Sequence, residues 1–263
     1  MSPHAVVLVH GTRTSASQWD PQVPSLLAAG YTVVAPDLPG HGARRTEPFT
    51  LAGAIDAITA AVRTAADLAR RPPGVQDQHG PPGADGTARV HLVGSSLGGM
   101  LAIHTAATVS LPLASLTVCG AAVQPGPWTA RLYGGLVTLS DRLPGGPDGS
   151  SSLFRLLLGR EGARAYLRGG RAGAEVVGPA FRAVASLDLR RDLGRIQVPV
   201  TFLHGRFDQM RVHERSFVAS TRKGRLAVLP YGTHMVNLNM PERFNADLLR
   251  VLARASAPPT LGS

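Results

Sequence analysis

Apolar residues along this chain come in short unbroken runs, separated by polar punctuation and by longer amphipathic stretches. Ala5 to Val9, Tyr31 to Ala35, Val90 to Gly94, Leu116 to Gly120, Val198 to His204 and Arg225 to Leu229 are the runs, rich in Val and Leu. Runs without polar alternation predict strands buried on both faces, as in a parallel sheet covered by helices. Between them, Trp19 to Ala29, Thr50 to Arg70, Leu97 to Val109 and Glu242 to Arg254 read as helices. Leu51, Ile55, Ile58 and Val62 make one apolar stripe, and Phe244, Leu248, Leu249 and Leu252 another. Six strands alternating with helices predict an α/β, doubly wound, mainly parallel sheet. Ligands bind such a sheet at the carboxyl ends of its strands.

The alternation fails between Gln124 and Arg195. Helical segments around Ala130 to Leu139, Ser152 to Leu167 and Ala174 to Leu187 follow one another there with glycine-rich joints and no strand. This predicts a helical lid, 124–195, inserted into a core made of 1–123 and 196–263. A second interruption, Pro72 to Ala88, holds eight Pro or Gly residues and predicts a mobile surface loop. With 263 residues the chain can bury the core of one domain with an insertion.

Composition excludes several function classes. The formal charge is +10, yet only Lys223 of the 27 basic residues is a lysine, and Ala, Gly and Pro abound. That profile matches the arginine preference of a GC-rich genome. The arginines are dispersed, without the runs or aromatic interleaving of nucleic-acid binders, so no nucleic-acid partner is expected. Cys119 is the sole cysteine, which excludes an internal disulfide and a cysteine-based metal site. No stretch approaches eighteen uncharged apolar residues, and Ala5 to Val9 follows four residues with no signal-peptide pattern. A cytoplasmic location is expected. The lid carries eleven Arg against six acidic residues, a net of +5. An anionic substrate would fit that excess, and so would the genomic bias. Trp128, Leu132, Tyr133, Leu136, Phe154, Leu157 and Phe181 supply its apolar surface, for packing and for lining a pocket alike, and the sequence does not apportion them between the two.

The chemistry concentrates at strand ends. Val90 to Val93 runs into Gly94-Ser95-Ser96-Leu97-Gly98 and on into a small-residue helix. A strand turning this sharply into a helix strains the serine backbone and leaves its hydroxyl proud of the turn, at a helix N-terminus that favours a developing anion. Serine is a weak nucleophile at neutral pH and needs a base of matched pKa, which selects histidine, and the base needs an orienting carboxylate. Asp208 and His234 follow the last two strands in the required places, giving Ser96, Asp208 and His234 as nucleophile, acid and base. Backbone N–H groups of Thr12, after His10-Gly11, and of Leu97 are the candidate oxyanion hole. Asp37 reads as a hydrogen-bonding residue of its own turn, and His10, His41 and His204 as loop and strand-end supports.

With those residues in place the chain resembles the α/β-hydrolase family from near its first residue to Arg254. The matching segments are His10-Gly11, Trp19, Asp37-Leu38-Pro39-Gly40-His41-Gly42, Gly94-Ser95-Ser96-Leu97-Gly98-Gly99, Ile196 to Val200, His204 to Asp208 and Gly232-Thr233-His234. The order Ser, Asp, His is that of the family. The two strands that usually precede His10-Gly11 are absent, which resembles its minimal six-stranded members. His234-Met235-Val236-Asn237-Leu238-Asn239-Met240-Pro241 resembles the methylesterase and hydroxynitrile lyase branch. Met240 stands where the lyases carry lysine, which weakens the lyase reading. The resemblance implies a serine hydrolase acting on a carboxylic ester, lactone or thioester of a small to medium apolar molecule, with neither metal nor organic cofactor. A non-hydrolytic acyltransferase, lyase or cyclase of secondary metabolism is the alternative on the same fold.

Overall fold

A computed structural model describes residues 4–70, 88–126, 135 and 152–256. The loop expected at Pro72 to Ala88 and the helix around Ala130 to Leu139 lie outside them, apart from Ala88 and Gly135.

The chain opens with β1 (His4–Val9), a 3₁₀ turn (Ala16–Trp19), α1 (Val23–Ala28), β2 (Thr32–Val34), a second 3₁₀ turn (Gly42–Arg44) and α2 (Leu51–Arg70). It continues through β3 (Arg89–Ser95), α3 (Leu97–Thr108) and β4 (Leu113–Cys119). Among the described residues it goes on through α4 (Ser152–Leu167), α5 (Ala174–Ala185) and α6 (Leu189–Leu193). β5 (Val200–His204), α7 (Glu214–Ala219), β6 (Gly224–Val228), α8 (Val236–Asn239) and α9 (Pro241–Ser256) complete it. The six strands form one sheet in the order β2-β1-β3-β4-β5-β6, and every neighbouring pair is parallel. This is the expected doubly wound architecture.

Strands β1, β3, β4 and β5 are almost wholly buried, which is why they carry no polar alternation. The edge strands depart from the expected burial on both faces, β2 being half-buried and β6 largely exposed, because each has a neighbour on one side only. Ala5, Val7, Val9, Val90 and Leu92 join α2, α3 and α5 in the larger core cluster. Val6, Leu8 and Val93 point the other way, into Trp19, Leu26, Phe244, Leu248 and Leu252. Each of these large side chains, fully withdrawn from water, contributes about 1.5–3 kcal/mol. The expected helix over Trp19 to Ala29 is broken instead: Pro21 lies between the 3₁₀ turn and α1, and Pro24 sits in the first turn of α1. A proline lacks the N–H that would continue a helix through it. β4 begins three residues earlier than expected, at Leu113, and α9 is slightly longer at each end.

The described part of the insertion is fastened to the core. α5 contributes Val176, Ala180 and Val184 to the larger cluster. The end of α4 is latched to the loop after β1, where Thr14 Oγ1 donates to Tyr166 O at 3.1 Å and Ser17 Oγ to Ala165 O at 2.5 Å. Arg168 pairs with Asp20, and Arg45 donates to Gly169 O at 2.9 Å.

Candidate active site

β3 delivers Ser96 to the head of α3 through a turn that only small neighbours permit. Ser96 has φ 52° and ψ −120°, a region that L residues rarely adopt and that costs about 1–3 kcal/mol. Its N–H donates to Cys119 O at 2.8 Å, which pins the turn to the end of β4. A Cβ on Gly94 would stand 2.5 Å from Gly98 O, and one on Gly98 would collide with the backbone of Val9 and His10. The first intrahelical bonds of α3 are made by Gly99 and Met100 to Ser96 O, so Leu97 N–H is an orphan donor of the helix start. The Leu97 side chain is buried in the core.

Asp208 and His234 meet between the ends of β5 and β6. His234 Nδ1 lies 3.0 Å from Asp208 Oδ1, and the carboxylate is 1 % exposed against 11 % for the imidazole. Burial pushes the Asp208 pKa up, but the His234 hydrogen bond and charge, the Met210 N–H at 2.8 Å and the charge of His204 outweigh it. The carboxyl is held below its usual range and stays ionised. Thr12, Ser96 and His234 line one cavity of about 150 Å³, together with Gly11, Arg13, Gln18, Tyr166 and Arg171. The candidate residues Ser96, His234 and Thr12 are thus brought to one space, with Asp208 directly behind His234.

The surrounding histidines are held neutral by burial. His204 accepts from Gly120 N–H through Nδ1 at 3.2 Å, and burial lowers its pKa to about 4. His10 accepts from Leu38 N–H at 3.0 Å, and burial followed by the charge of His41 takes it to about 3. Asp37 accepts from Ala16 N–H at 2.7 Å and Ala43 N–H at 2.8 Å, the turn-holding role its position suggested. Burial and the Asp208 charge push the Cys119 thiol up, so it stays protonated and inert at neutral pH.

Gln18 was not legible beforehand. Its Oε1 accepts from Gly11 N–H at 2.8 Å and its Nε2 donates to Ser95 Oγ at 3.0 Å, tying the loop after β1 to the serine turn. Asn237, on α8 just after His234, donates to Gln18 O and Gln22 Oε1, both at 3.3 Å. Buried amides in a polar-looking loop carry no sequence signal that separates them from solvated ones. The lid's apolar residues divide between packing, exposure and pocket lining. Leu157 is exposed and Phe181 packs against the core, while Tyr166 lines the cavity. Trp128, Leu132, Tyr133 and Leu136, and the Phe154 side chain, lie outside the described residues.

A parallel sheet wrapped by helices, with a strained serine turn at the carboxyl end of a central strand, defines an α/β-hydrolase architecture. A family model described as the alpha/beta hydrolase family matches residues 6–247, and the chain belongs to that family of enzymes. A Variovorax paradoxus protein named carbamate hydrolase RutD is 30% identical over 268 residues, covering 97% of this chain and 93% of that one. A pimeloyl-[acyl-carrier protein] methyl ester esterase of Nitrosomonas europaea is 27% identical, covering 91% of this chain and 92% of its own. The crystal structure of an enol-lactonase from Burkholderia xenovorans LB400 superposes with a TM-score of 0.71 at 19% identity, over 96% of this chain and 92% of that one. Among the described residues, no group of three or more His, Cys, Asp or Glu could hold a metal ion. No described helix is long and apolar enough to cross a membrane.

Proposed function

We propose that the chain is a serine hydrolase that cleaves a carboxylic ester or thioester of a small to medium molecule through an acyl-enzyme. The observation that carries this reading is the 3.0 Å contact of His234 Nδ1 with Asp208 Oδ1, in a histidine that shares its cavity with Ser96. With Nδ1–H donated to the carboxylate, Nε2 is the basic nitrogen. Ser96 Oγ attacks the carbonyl carbon while its proton passes to His234 Nε2. The oxyanion is received by Thr12 N–H and Leu97 N–H, the latter at the positive end of α3. Collapse expels the alcohol or thiol, which takes the proton from His234, and water repeats the sequence on the acyl-enzyme. Residues 124–195 act as the cap over this site. The esterase and carbamate hydrolase names of the relatives fit attack on an acyl carbon.

The test is labelling with a fluorophosphonate, followed by turnover of esters and thioesters of graded acyl length. The wild type labels once and Ser96→Ala does not, with hydrolysis down by about 10⁴–10⁶ in a folded protein. Turnover surviving in Ser96→Ala would overturn the assignment.

A further inference from the structure

Three consecutive backbone amides in the loop after β1 meet different fates. Gly11 N–H donates to Gln18 Oε1 at 2.8 Å, and Arg13 N–H donates to His41 Nε2 at 3.4 Å. Between them, Thr12 N–H has no acceptor among the described residues. An open N–H held between two occupied ones suits a donor kept for an oxyanion. Gly11 O belongs to the same trans peptide unit as Thr12 N–H, and it accepts from His10 Nδ1 at 2.8 Å. Because that unit is planar, its C=O and N–H point opposite ways, and holding the one sets the direction of the other.

The two imidazoles work from one wall. His10 Nε2 accepts from Leu38 N–H at 3.0 Å, and His41 Nδ1 donates to Pro39 O at 2.9 Å. Each ring therefore carries its proton on Nδ1 and offers a bare Nε2. The rings are buried, with centroids 4.9 Å apart, between the loop after β1 and the turn after β2. Burial lowers the His41 pKa, outweighing the Pro39 and Leu38 bonds and the Asp37 charge, so its acceptor is unprotonated at neutral pH. Arg13 holds φ 65°, a conformation that a non-glycine residue keeps only where its surroundings enforce it. The His41 bond is one such hold, on the N–H of the strained residue itself.

Resting on the serine hydrolase reading above, we infer that His41 is a positioning residue for turnover which, together with His10, aims Thr12 N–H at the oxyanion formed on Ser96. His41 does not line the Ser96 cavity and acts through the backbone on either side of Thr12.

The test sets His41→Gln against His41→Asn. A Gln side chain brings a carbonyl oxygen to where Nε2 stands and keeps an acceptor for Arg13 N–H, whereas Asn reaches only the Nδ1 position and keeps the Pro39 bond alone. On a p-nitrophenyl ester, His41→Asn should lose kcat about tenfold or more with KM little changed, and His41→Gln should recover most of that loss at a similar melting temperature. Inhibition by a trifluoromethyl ketone, whose adduct with Ser96 bears an oxyanion, should weaken in step with kcat. Equal kcat in the two variants, or a loss confined to KM, would overturn the assignment while leaving the triad intact. Should His41→Asn not fold, nitrogen NMR of the wild type decides: a bare His41 Nε2 with an Arg13 amide protected from exchange supports the inference, and the other tautomer or a freely exchanging amide overturns it. A wild type that neither takes the fluorophosphonate label nor turns over any ester would instead remove the hydrolase reading, and this inference with it.

Discussion

Gly120 and His234 are in direct contact: a Cβ on Gly120 would stand 2.8 Å from His234 Nδ1, and as close to Asp208 Oδ2. The glycine also holds φ 58°, which other residues adopt only under strain. Gly120→Ala should therefore push the imidazole off the carboxylate and lower kcat by about 10²-fold, since a displacement of 1 Å has that effect. Gly30→Ala, with φ 84° and open space around it, should cost stability alone. Equal kcat in both variants would show that the contact is slack.

Asp208→Asn should leave the fold intact and cut kcat by about 10²–10⁴, because an amide neither stabilises the imidazolium nor holds the tautomer. Asp37→Asn is the matched control. Its carboxylate serves the Ala16 and Ala43 amides, so thermal stability should drop while kcat stays near that of the wild type. The reverse pattern would make Asp37 the acid partner.

The backbone strain at Ser96 predicts a trade between stability and turnover. Glycine occupies φ 52°, ψ −120° without steric cost. Ser96→Gly should raise the melting temperature by about 2–4 °C, the shift of about 1 kcal/mol for a chain of this size, while abolishing hydrolysis. A lower melting temperature than Ser96→Ala would mean that the turn is not strained.

Those three predictions draw on features of unequal legibility. The positions of Ser96, Asp208 and His234 at strand ends could be read because each follows an apolar run; the runs before Ser96 and Asp208 are buried strands, whereas the one before His234 is the largely exposed edge strand β6. The break between the first 3₁₀ turn and α1 was signalled by Pro21 and Pro24, but helical spacing around Trp19 masked it. Gln18, Arg13 and Tyr166 were not singled out, because their roles arise from packing between segments about 80 to 160 positions apart, as in the Gln18 contact with Ser95 and the Arg13 contact with Ala172. Periodicity registers which face a residue is on, not which distant loop it meets.

Acid should destabilise this protein well above the carboxylate range. Burial lowers His91 to about 4, His204 to about 4 and His10 to about 3, against 6.5 when exposed. Below pH 6.5 the unfolded chain takes up protons that the folded one refuses, so stability is complete above that pH and lost as pH falls towards 4. Each histidine accounts for about 2 kcal/mol by pH 5. The depressed Asp208 acts in the same direction at lower pH. Urea midpoints measured from pH 7.5 to 5 should fall steadily, and His91→Gln should flatten the slope. A midpoint constant over that range would mean that these rings are hydrated or protonated in the native state.

The Gln18 bridge separates positioning from packing. Gln18→Leu removes the acceptor of Gly11 N–H and the donor to Ser95 Oγ, leaving both buried groups without these partners, at a cost of about 1–3 kcal/mol. Because Gly11 precedes the proposed oxyanion donor Thr12, the loop that aims Thr12 N–H loses its anchor. The loss of kcat should be about tenfold or more, with KM little changed, as expected for an interaction made mainly in the transition state. Gln18→Glu keeps an acceptor for Gly11 N–H, but places a carboxylate beside the site where negative charge develops. It should retain more stability than Gln18→Leu and yet lose more kcat, a split that a purely structural residue would not produce. If the two variants lose stability and kcat in proportion, Gln18 only packs, and the oxyanion loop is held by the His10 bond to Leu38 and by the latch to α4.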